Sequence, residues 1–472
     1  MAKKGNHIID KLVIDLNVSG IDQTQRHVLG KKLKSEVLAA IKHLDKKIGH
    51  DFDNNFYQLD RLLIDLDTPT DNLQNLDRRI GDVLFQKINS LYAGGETQPD
   101  SIQFSELAPQ EHIQNLSLFF LTHGHFPWWS GNNYTLSDIV QWLHKMPADS
   151  WRKEIMPVLK ANQSAVDRLI LQFPEVIIKE LIAKSSFTPE AFLLINDLTD
   201  FFKQGKDSIS VAQIKKLKTS LYQILWRQVL AEQSIDRPNL SKATLNELVN
   251  SALVLPDQLE KWKIGLRKSK KAKAGEWLKK LDSHKIKKKK ASDEVVKEDL
   301  PKKIDSNDFE VQQAGLVLVY PFVKTLFERL ELLENYLFKD IAAKERAVCL
   351  LHYLATGEEI FDEPKLILPM YLCDWPIGVS IDRFLPIDDR EKSECTKVLE
   401  SVIKQWPTLK NTSPDGLREN FIKREGKLKK EAFGWSLYVE SKTQDLLLDR
   451  IPWGFSKIKF KWMESMLTVN WN

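Results

Sequence analysis

Residues 451–472 read IPWGFSKIKFKWMESMLTVNWN and carry three tryptophans, Trp453, Trp462 and Trp471. Segments near a chain end are usually polar and frayed, so this aromatic density needs a structural reason. The period of the pattern supplies one. Ile458, Phe460 and Trp462 alternate with Lys457, Lys459 and Lys461, and Leu467, Val469 and Trp471 alternate with Thr468 and Asn470. Upstream, GWSLYVE alternates Trp435, Leu437 and Val439 against Ser436, Tyr438 and Glu440. Side chains on a strand point to opposite faces in turn, so each stretch reads as a strand with one buried face. Three such strands in succession predict an antiparallel β meander with Met463–Ser465 as its last turn. Trp435, Trp462 and Trp471 are then structural core aromatics. Trp453, in the IPWG turn that enters the sheet, has no place in this pattern and is a candidate protein-docking residue.

Outward from the sheet, residues 309–472 read as a helical domain that the meander closes. Pro321 sits where the first turn of a helix tolerates it, and Phe322, Leu326 and Leu330 form a stripe behind it. The helix around AAKERAVCLLHYLATG stops at Gly357, a C-cap residue. A helix is predicted over about 388–405, and another starts at Ser413-Pro414, a cap followed by proline at the first position.

The N-terminal 95 residues contain a repeat. HIIDKLVIDLNV (7–18) and YQLDRLLIDLDT (57–68) share an alternating strand pattern, and residues 23–47 between them carry Leu29, Leu33, Val37, Ala40, Ile41 and Leu44 at helical spacing. A second helix is expected near Leu73–Leu91. The prediction is a small βαβα unit. Asp15 and Asp65, at matching positions of the repeat, read as solvated strand-face charges and not as a catalytic pair. Residues 96–260 read as a helical middle region, cut into segments by prolines such as Pro127, Pro147, Pro157, Pro174 and Pro189. Thr135 and Asp138 are spaced as a capping box, with Asp in place of the usual Glu or Gln. No heptad persists, so a helical array or bundle is expected over a coiled-coil rod. The predicted class is therefore α+β, mostly helical.

Charge isolates the remaining segment. Residues 261–290 hold 14 Lys/Arg and two acids, +12, while the whole chain is +4, so everything else sums to −8. With the polar stretch that follows, 261–308 reads as a lysine-rich linker. Lys287, Lys288, Lys289 and Lys290 are its densest positive charge and a candidate electrostatic contact. Binding to nucleic-acid phosphates through this run, with Trp262 and Trp277 available to stack on bases, is the less favoured alternative to a solvated linker or a contact with an acidic protein.

No apolar run reaches the roughly 18 residues that a membrane span needs. The opening MAKKGNHIIDKLVIDL lacks the unbroken apolar core of a signal peptide. Cys349, Cys373 and Cys395 form no CxxC pair and suit a reducing compartment, so a cytoplasmic protein is expected. There is no phosphate loop, GxGxxG, GxSxG or HExxH, and no catalytic residue, metal site or cofactor is predicted. THGHF places His123 and His125 two apart, which alone does not make a metal site and reads as a helix-ending turn. Glu358, Glu359, Asp362 and Glu363 lack EF-hand spacing and read as a solvated loop. FPWWSG (126–131) is an aromatic corner in which Trp128 and Trp129 are either core or a docking patch.

Several of these words, in this order, resemble the tape measure protein family of contractile injection systems, phage-tail-like particles of bacteria. They are HIIDKLVIDL with its partner LDRLLIDLD, then FFLTHGHFPWW, and then AGLVLVYPFVKTLFERL, ERAVCLLHYLATGEE, WPTLKNTSPDGLRENFIKREGKL, GWSLYVE, DLLLDRIPWGFSKIKFKWM and LTVNW. The C-terminal matches cover about 160 residues and the N-terminal 95 match well, whereas residues 145–308 match only in helical character. The resemblance implies a structural protein that sets inner-tube length, without enzymatic activity. It also implies contacts with the inner tube protein, the spike or baseplate and a tube terminator, and a location in the cytoplasm during assembly and inside the finished particle. The alternative is an assembly adaptor or baseplate-linked factor of the same system.

Overall fold

The computed structural model describes residues 56–59, 76–92, 104–185 except 128 and 131–133, 211–231, and 308–471 except 410 and 433, with helical residues scattered between 28 and 41. The first copy of the N-terminal repeat, Pro189 and its expected helix, the lysine-rich segment with Trp262, Trp277 and Lys287–Lys290, and Trp128 lie outside the described residues. Contacts divide the chain into two compact units, residues 1–117 with 127–134, and residues 118–126 with 135–472.

In the first unit, β1 (Phe56–Leu59) lies at the start of the second repeat copy and pairs antiparallel with β2 (Phe104–Leu107), a strand with no clear sequence signal. The expected helix near 73–91 is α1 (Leu76–Tyr92), with Ile80, Gly81 and Leu84 buried on one side. Among the described residues of the preceding helical stretch, Leu33 and Ala40 are buried and Val28, Lys32 and Ser35 exposed, as its spacing predicts. A Cβ added at Gly81 would lie 3.8 Å from the Ala40 carbonyl, so the two helices meet closely there.

The second unit holds two apolar cores. One is helical. It is built from the C-terminal part of α2 (Pro109–His123), then α3 (Leu136–Lys145), α4 (Met156–Ala161), α5 (Gln163–Gln172), α6 (Glu175–Lys184) and α7 (Val211–Leu230). Thr135 caps α3 through the predicted box, its backbone N–H donating to Asp138 Oδ2 at 2.8 Å. Trp151 and Trp226 are fully buried 6.0 Å apart, and the Trp151 indole N–H donates to Ser185 Oγ at 2.9 Å. Glu175 at the start of α6 binds Lys218 and Tyr222 of α7, each at 2.9 Å. Despite partial burial, these partners and Lys179 hold its carboxyl down at about 2.

The other core spans β3 (Asp308–Val311), α8 (Tyr320–Arg329), the hairpin β4 (Leu333–Glu334) and β5 (Leu337–Phe338), α9 (Ile341–Thr356), α10 (Ile367–Leu372), α11 (Asp389–Gln405), and the strands β6 (Gly426–Glu431), β7 (Gly434–Val439), β8 (Lys457–Ile458) and β9 (Leu467–Trp471). Helix ends fall where sequence puts them at Gly357, which takes φ 76° and caps α9, and at Ser413, which caps the turn at Pro414–Leu417. The helix expected over about 388–405 is α11, and Asp388 and Glu391 box its start. The chain is α+β and mostly helical, as its pattern predicts.

The closing sheet differs from the expected meander. It has five strands in the order β3-β6-β7-β9-β8, and β7 and β9 run parallel, with Leu437 opposite Val469. The reason is that the 457–462 stretch pairs only at Lys457 and Ile458, which leaves β9 to slot between β7 and β8. β3 and β6 complete the sheet, and β6 hides behind its lysines, since Leu428 alone is fully buried in it. Burial nevertheless alternates as predicted. Ile458, Phe460 and Trp462 are buried, and Lys457, Lys459 and Lys461 exposed.

Candidate functional site

Arg168 lies on the same face of α5 as Ala165, Leu169 and Gln172, and all four are fully buried. A guanidinium in that stripe has lost its water and needs replacement partners. Its Nε donates to both Glu363 oxygens, at 3.2 and 3.1 Å. One Nη donates to the Leu121 carbonyl and the other to the Gly378 carbonyl. Glu363, at the start of the 3₁₀ turn Glu363–Leu366, is itself 1% exposed and accepts from Ser380 Oγ at 3.0 Å. Burial pushes its carboxyl up, and Arg168 and Ser380 pull it down.

The pair joins the helical core to the sheet-bearing core across 195 residues of sequence. Around it, Gln172 Nε2 donates to the Ile381 carbonyl at 2.5 Å, Arg383 N–H to the Leu171 carbonyl at 3.3 Å, and Arg383 Nη1 to the Gln172 carbonyl at 3.4 Å. Arg383 also pairs with Asp362 at 2.9 Å.

The THGHF stretch is the third wall of this site. α2 ends at His123, and Gly124 turns the chain with φ +80°. A Cβ there would sit 2.5 Å from both Arg168 Nη2 and Glu363 Oε1, so glycine is required twice over, for its backbone and for the approach of the ion pair. His125 is buried against Phe309, with ring centroids 5.0 Å apart, and its Nδ1 bonds the Phe126 carbonyl at 3.0 Å. Its Nε2 has no partner among the described residues. Burial lowers its pKa to about 4, reinforced by His123 and Arg168 and opposed by the Phe126 bond. The two histidines of the motif therefore serve a packed turn, with ring centroids 6.0 Å apart.

The acidic run at 358–363 fits the solvated-loop reading at Glu358 and Glu359, both exposed, and corrects it at Glu363, which is buried on Arg168. Asp362 binds Arg383, Glu359 binds Lys392 at 2.7 Å and Glu358 lies 3.6 Å from Lys365. Among the described residues, no group of three or more His, Cys, Asp or Glu side chains is placed to hold a metal.

The aromatic candidates are placed as follows. Trp435 and Trp462 lie in the sheet-side core, the Trp462 indole donating to the Leu372 carbonyl at 2.9 Å. Trp471 is half-buried against it and donates to Asp445 Oδ2 at 2.9 Å. Trp453, a docking candidate, is half-buried edge-on to Phe322, and its indole donates to the Leu318 carbonyl at 2.9 Å. Trp129, in the first unit, packs edge-on to His112 at 4.8 Å. Cys349, Cys373 and Cys395 are buried thiols outside any disulfide, and burial pushes Cys395 up to about 12.

A second neutral histidine supports the sheet-side core. Gln313 Nε2 donates to His352 Nδ1 at 2.8 Å, which leaves the proton on Nε2 facing Thr356 Oγ1 at 3.3 Å. Burial, with Lys365 and Lys423 adding to it, lowers its pKa to about 3. A buried histidine held below its free value takes up its proton only on unfolding. Stability is therefore unaffected above about pH 6.5 and falls as the pH drops from there toward the folded values. From the values of about 4 and about 3, His125 and His352 should each withdraw about 2 kcal/mol between pH 6.5 and 5. Urea unfolding at pH 7 and pH 5 checks this, and His352→Gln should shrink the difference by about 2 kcal/mol. An unchanged pH slope in that variant would sink the assignment. Glu175 acts in a separate window, since its depressed carboxyl loses its contribution only below about pH 4.5.

Arg168 had a sequence signal, a charge inside an apolar helical stripe. Glu363 had none, because its partner is distant in the chain. Among the described residues no helix is long and apolar enough to cross a membrane. A family model of contractile injection system tape measure proteins matches residues 6–471. No curated protein and no solved structure matches the chain.

Proposed function

The chain belongs to the contractile injection system tape measure protein family, a family of structural proteins, and from that premise we propose that its second unit is a folded end-piece that docks on another component of the particle. The observation that carries this is the buried Arg168–Glu363 pair. It folds α5 back onto a segment 195 residues away, so the helices of residues 135–231 serve as the wall of a compact body. A helical yardstick needs residues laid end to end, at about 1.5 Å each. Among the described residues of this unit the longest helix, α7, has 20 residues, and it is committed to α6 through Glu175. Length-setting in the growing tube falls to residues outside the described helices of that unit. On this reading the protein acts during tube assembly in the cytoplasm and stays in the particle, with the inner tube, the spike or baseplate and the terminator as its neighbours.

Deleting Val211–Leu230 separates this reading from a ruler. A ruler loses about 30 Å of tube and still assembles. The end-piece instead loses one wall of its core, since Leu221, Leu225 and Trp226 are fully buried there. Electron microscopy of the producing cells should show particle numbers collapse with no population of uniformly shortened tubes. Normal numbers of particles with tubes shorter by about 30 Å would overturn the proposal.

A further inference from the structure

The β4–β5 hairpin turns through Asn335 and Tyr336, with φ of 52° and 66°. Two-residue hairpins of this hand favour Asn followed by Gly, because a Cβ is strained at positive φ. Tyrosine in the second position costs stability, and its ring does not recover it by burial, since Tyr336 is 47% and Leu337 51% exposed. Two ammonium groups lie over the ring. Lys324 Nζ of α8 lies 4.3 Å and Lys461 Nζ 4.5 Å from its centroid. Lys461 belongs to the row Lys457, Lys459, Lys461, exposed on one side of the stretch whose other side is core. Phe338, the next-but-one residue of the hairpin, packs on Trp462 at 5.2 Å and fixes the hairpin against that row.

We propose that Tyr336, Leu337, Lys324 and Lys461 form a docking surface for an acidic protein partner, with Tyr336 as the anchor. Cations over an aromatic face hold it in a fixed pose, and exposed tyrosines with fixed rings are typical anchors of interfaces. Charge complementarity gives the partner its sign. Lys461 makes no ion pair among the described residues, and Lys324 has only a 3.5 Å contact with Glu328. Carboxylates on the partner would find both ammonium groups beside the ring. A nucleic acid fits less well. The positive charge is a single row, diluted by the exposed Glu328, Glu331 and Glu334, and two apolar side chains stand in its midst.

The proposal rests on the end-piece reading, and its test reads a different outcome. Three full-length variants are compared in producing cells and as purified protein: Tyr336→Gly, the charge reversal Lys324→Glu with Lys461→Glu, and the conservative Lys324→Arg with Lys461→Arg. Tyr336→Gly should unfold at the same or a higher temperature, because it relieves the turn, yet lower the count of complete particles about tenfold or more. The charge reversal should lower it equally at an unchanged unfolding temperature, and the arginine pair should assemble like the parent. Normal particle counts for Tyr336→Gly or for the charge reversal overturn the proposal. So does a dimer in sedimentation that the same substitutions dissociate, which makes the partner a second copy. Salt-sensitive binding of the purified protein to a duplex DNA probe that the charge reversal abolishes also overturns it. Tubes of altered length would instead indict the end-piece reading, which the surface substitutions do not touch.

Discussion

Replacing Arg168 with methionine lowers the stability of the second unit by about 3–5 kcal/mol in urea unfolding at pH 7. The guanidinium holds Glu363 and the Leu121 and Gly378 carbonyls at once, all in a site without water access. Removing it strands a buried carboxylate with Ser380 as its only remaining donor among the described residues. The carboxylate has one escape, which is to take up a proton. Burial already pushes its pKa up, and without Arg168 nothing but Ser380 opposes that push. For a carboxyl whose folded pKa is raised, stability is retained below the unfolded value and lost as the pH climbs through the folded one. The difference between Arg168→Met and the parent should therefore shrink from pH 7 to pH 5. Adding Glu363→Gln to Arg168→Met should return part of the loss at pH 7, because it removes the unpaired charge. A cost below about 1 kcal/mol, or one that does not depend on pH, would show that the pair is not what joins the two cores.

Truncation before Leu467 is expected to abolish cooperative folding of the sheet-bearing core. β9 is an interior strand, paired along its whole length with β7 and at two positions with β8. Its removal uncovers Leu437 and Trp435 and deletes the buried Leu467 and Val469, each worth about 1.5–3 kcal/mol. Together with five ladder positions and the Trp471–Asp445 bond, the loss reaches the 5–15 kcal/mol that roughly holds a whole domain together. Near-UV circular dichroism and tryptophan fluorescence should show a loss of fixed packing. A truncated chain that melts like the parent but no longer supports particles would instead mean that the tryptophans face a partner.

What could be read from the chain divides along physical lines. Faces were legible. Ile458, Phe460 and Trp462 go inside and the three lysines outside, although only Lys457 and Ile458 lie in a strand and the alternation continues beyond it. Partners were not legible. Alternation is identical for parallel and antiparallel neighbours, so the β7–β9 pairing lay beyond it, and β6 is written in GKLKKE, with lysines where apolar residues were sought. Caps were legible at Thr135, Gly357 and Ser413, since each is a matter of three or four adjacent residues. The central ion pair went unread. Arg168 shares a buried helix face with Ala165 and Leu169, a cue the sequence carries, whereas Glu363 looks like one acid among four until the fold brings it to α5.

The place of β9 between β7 and β8 also orders events in time. The ribosome makes both neighbours before the strand that separates them, so until Leu467–Trp471 emerges β7 has an unpaired edge and the sheet cannot close. Open edges recruit other chains, and contacts spanning the 28 positions from Val439 to Leu467 and the 195 from Arg168 to Glu363 slow the search. The nascent protein therefore passes through a vulnerable window. A particle component with this topology becomes competent to join the structure only after synthesis has passed its final strand.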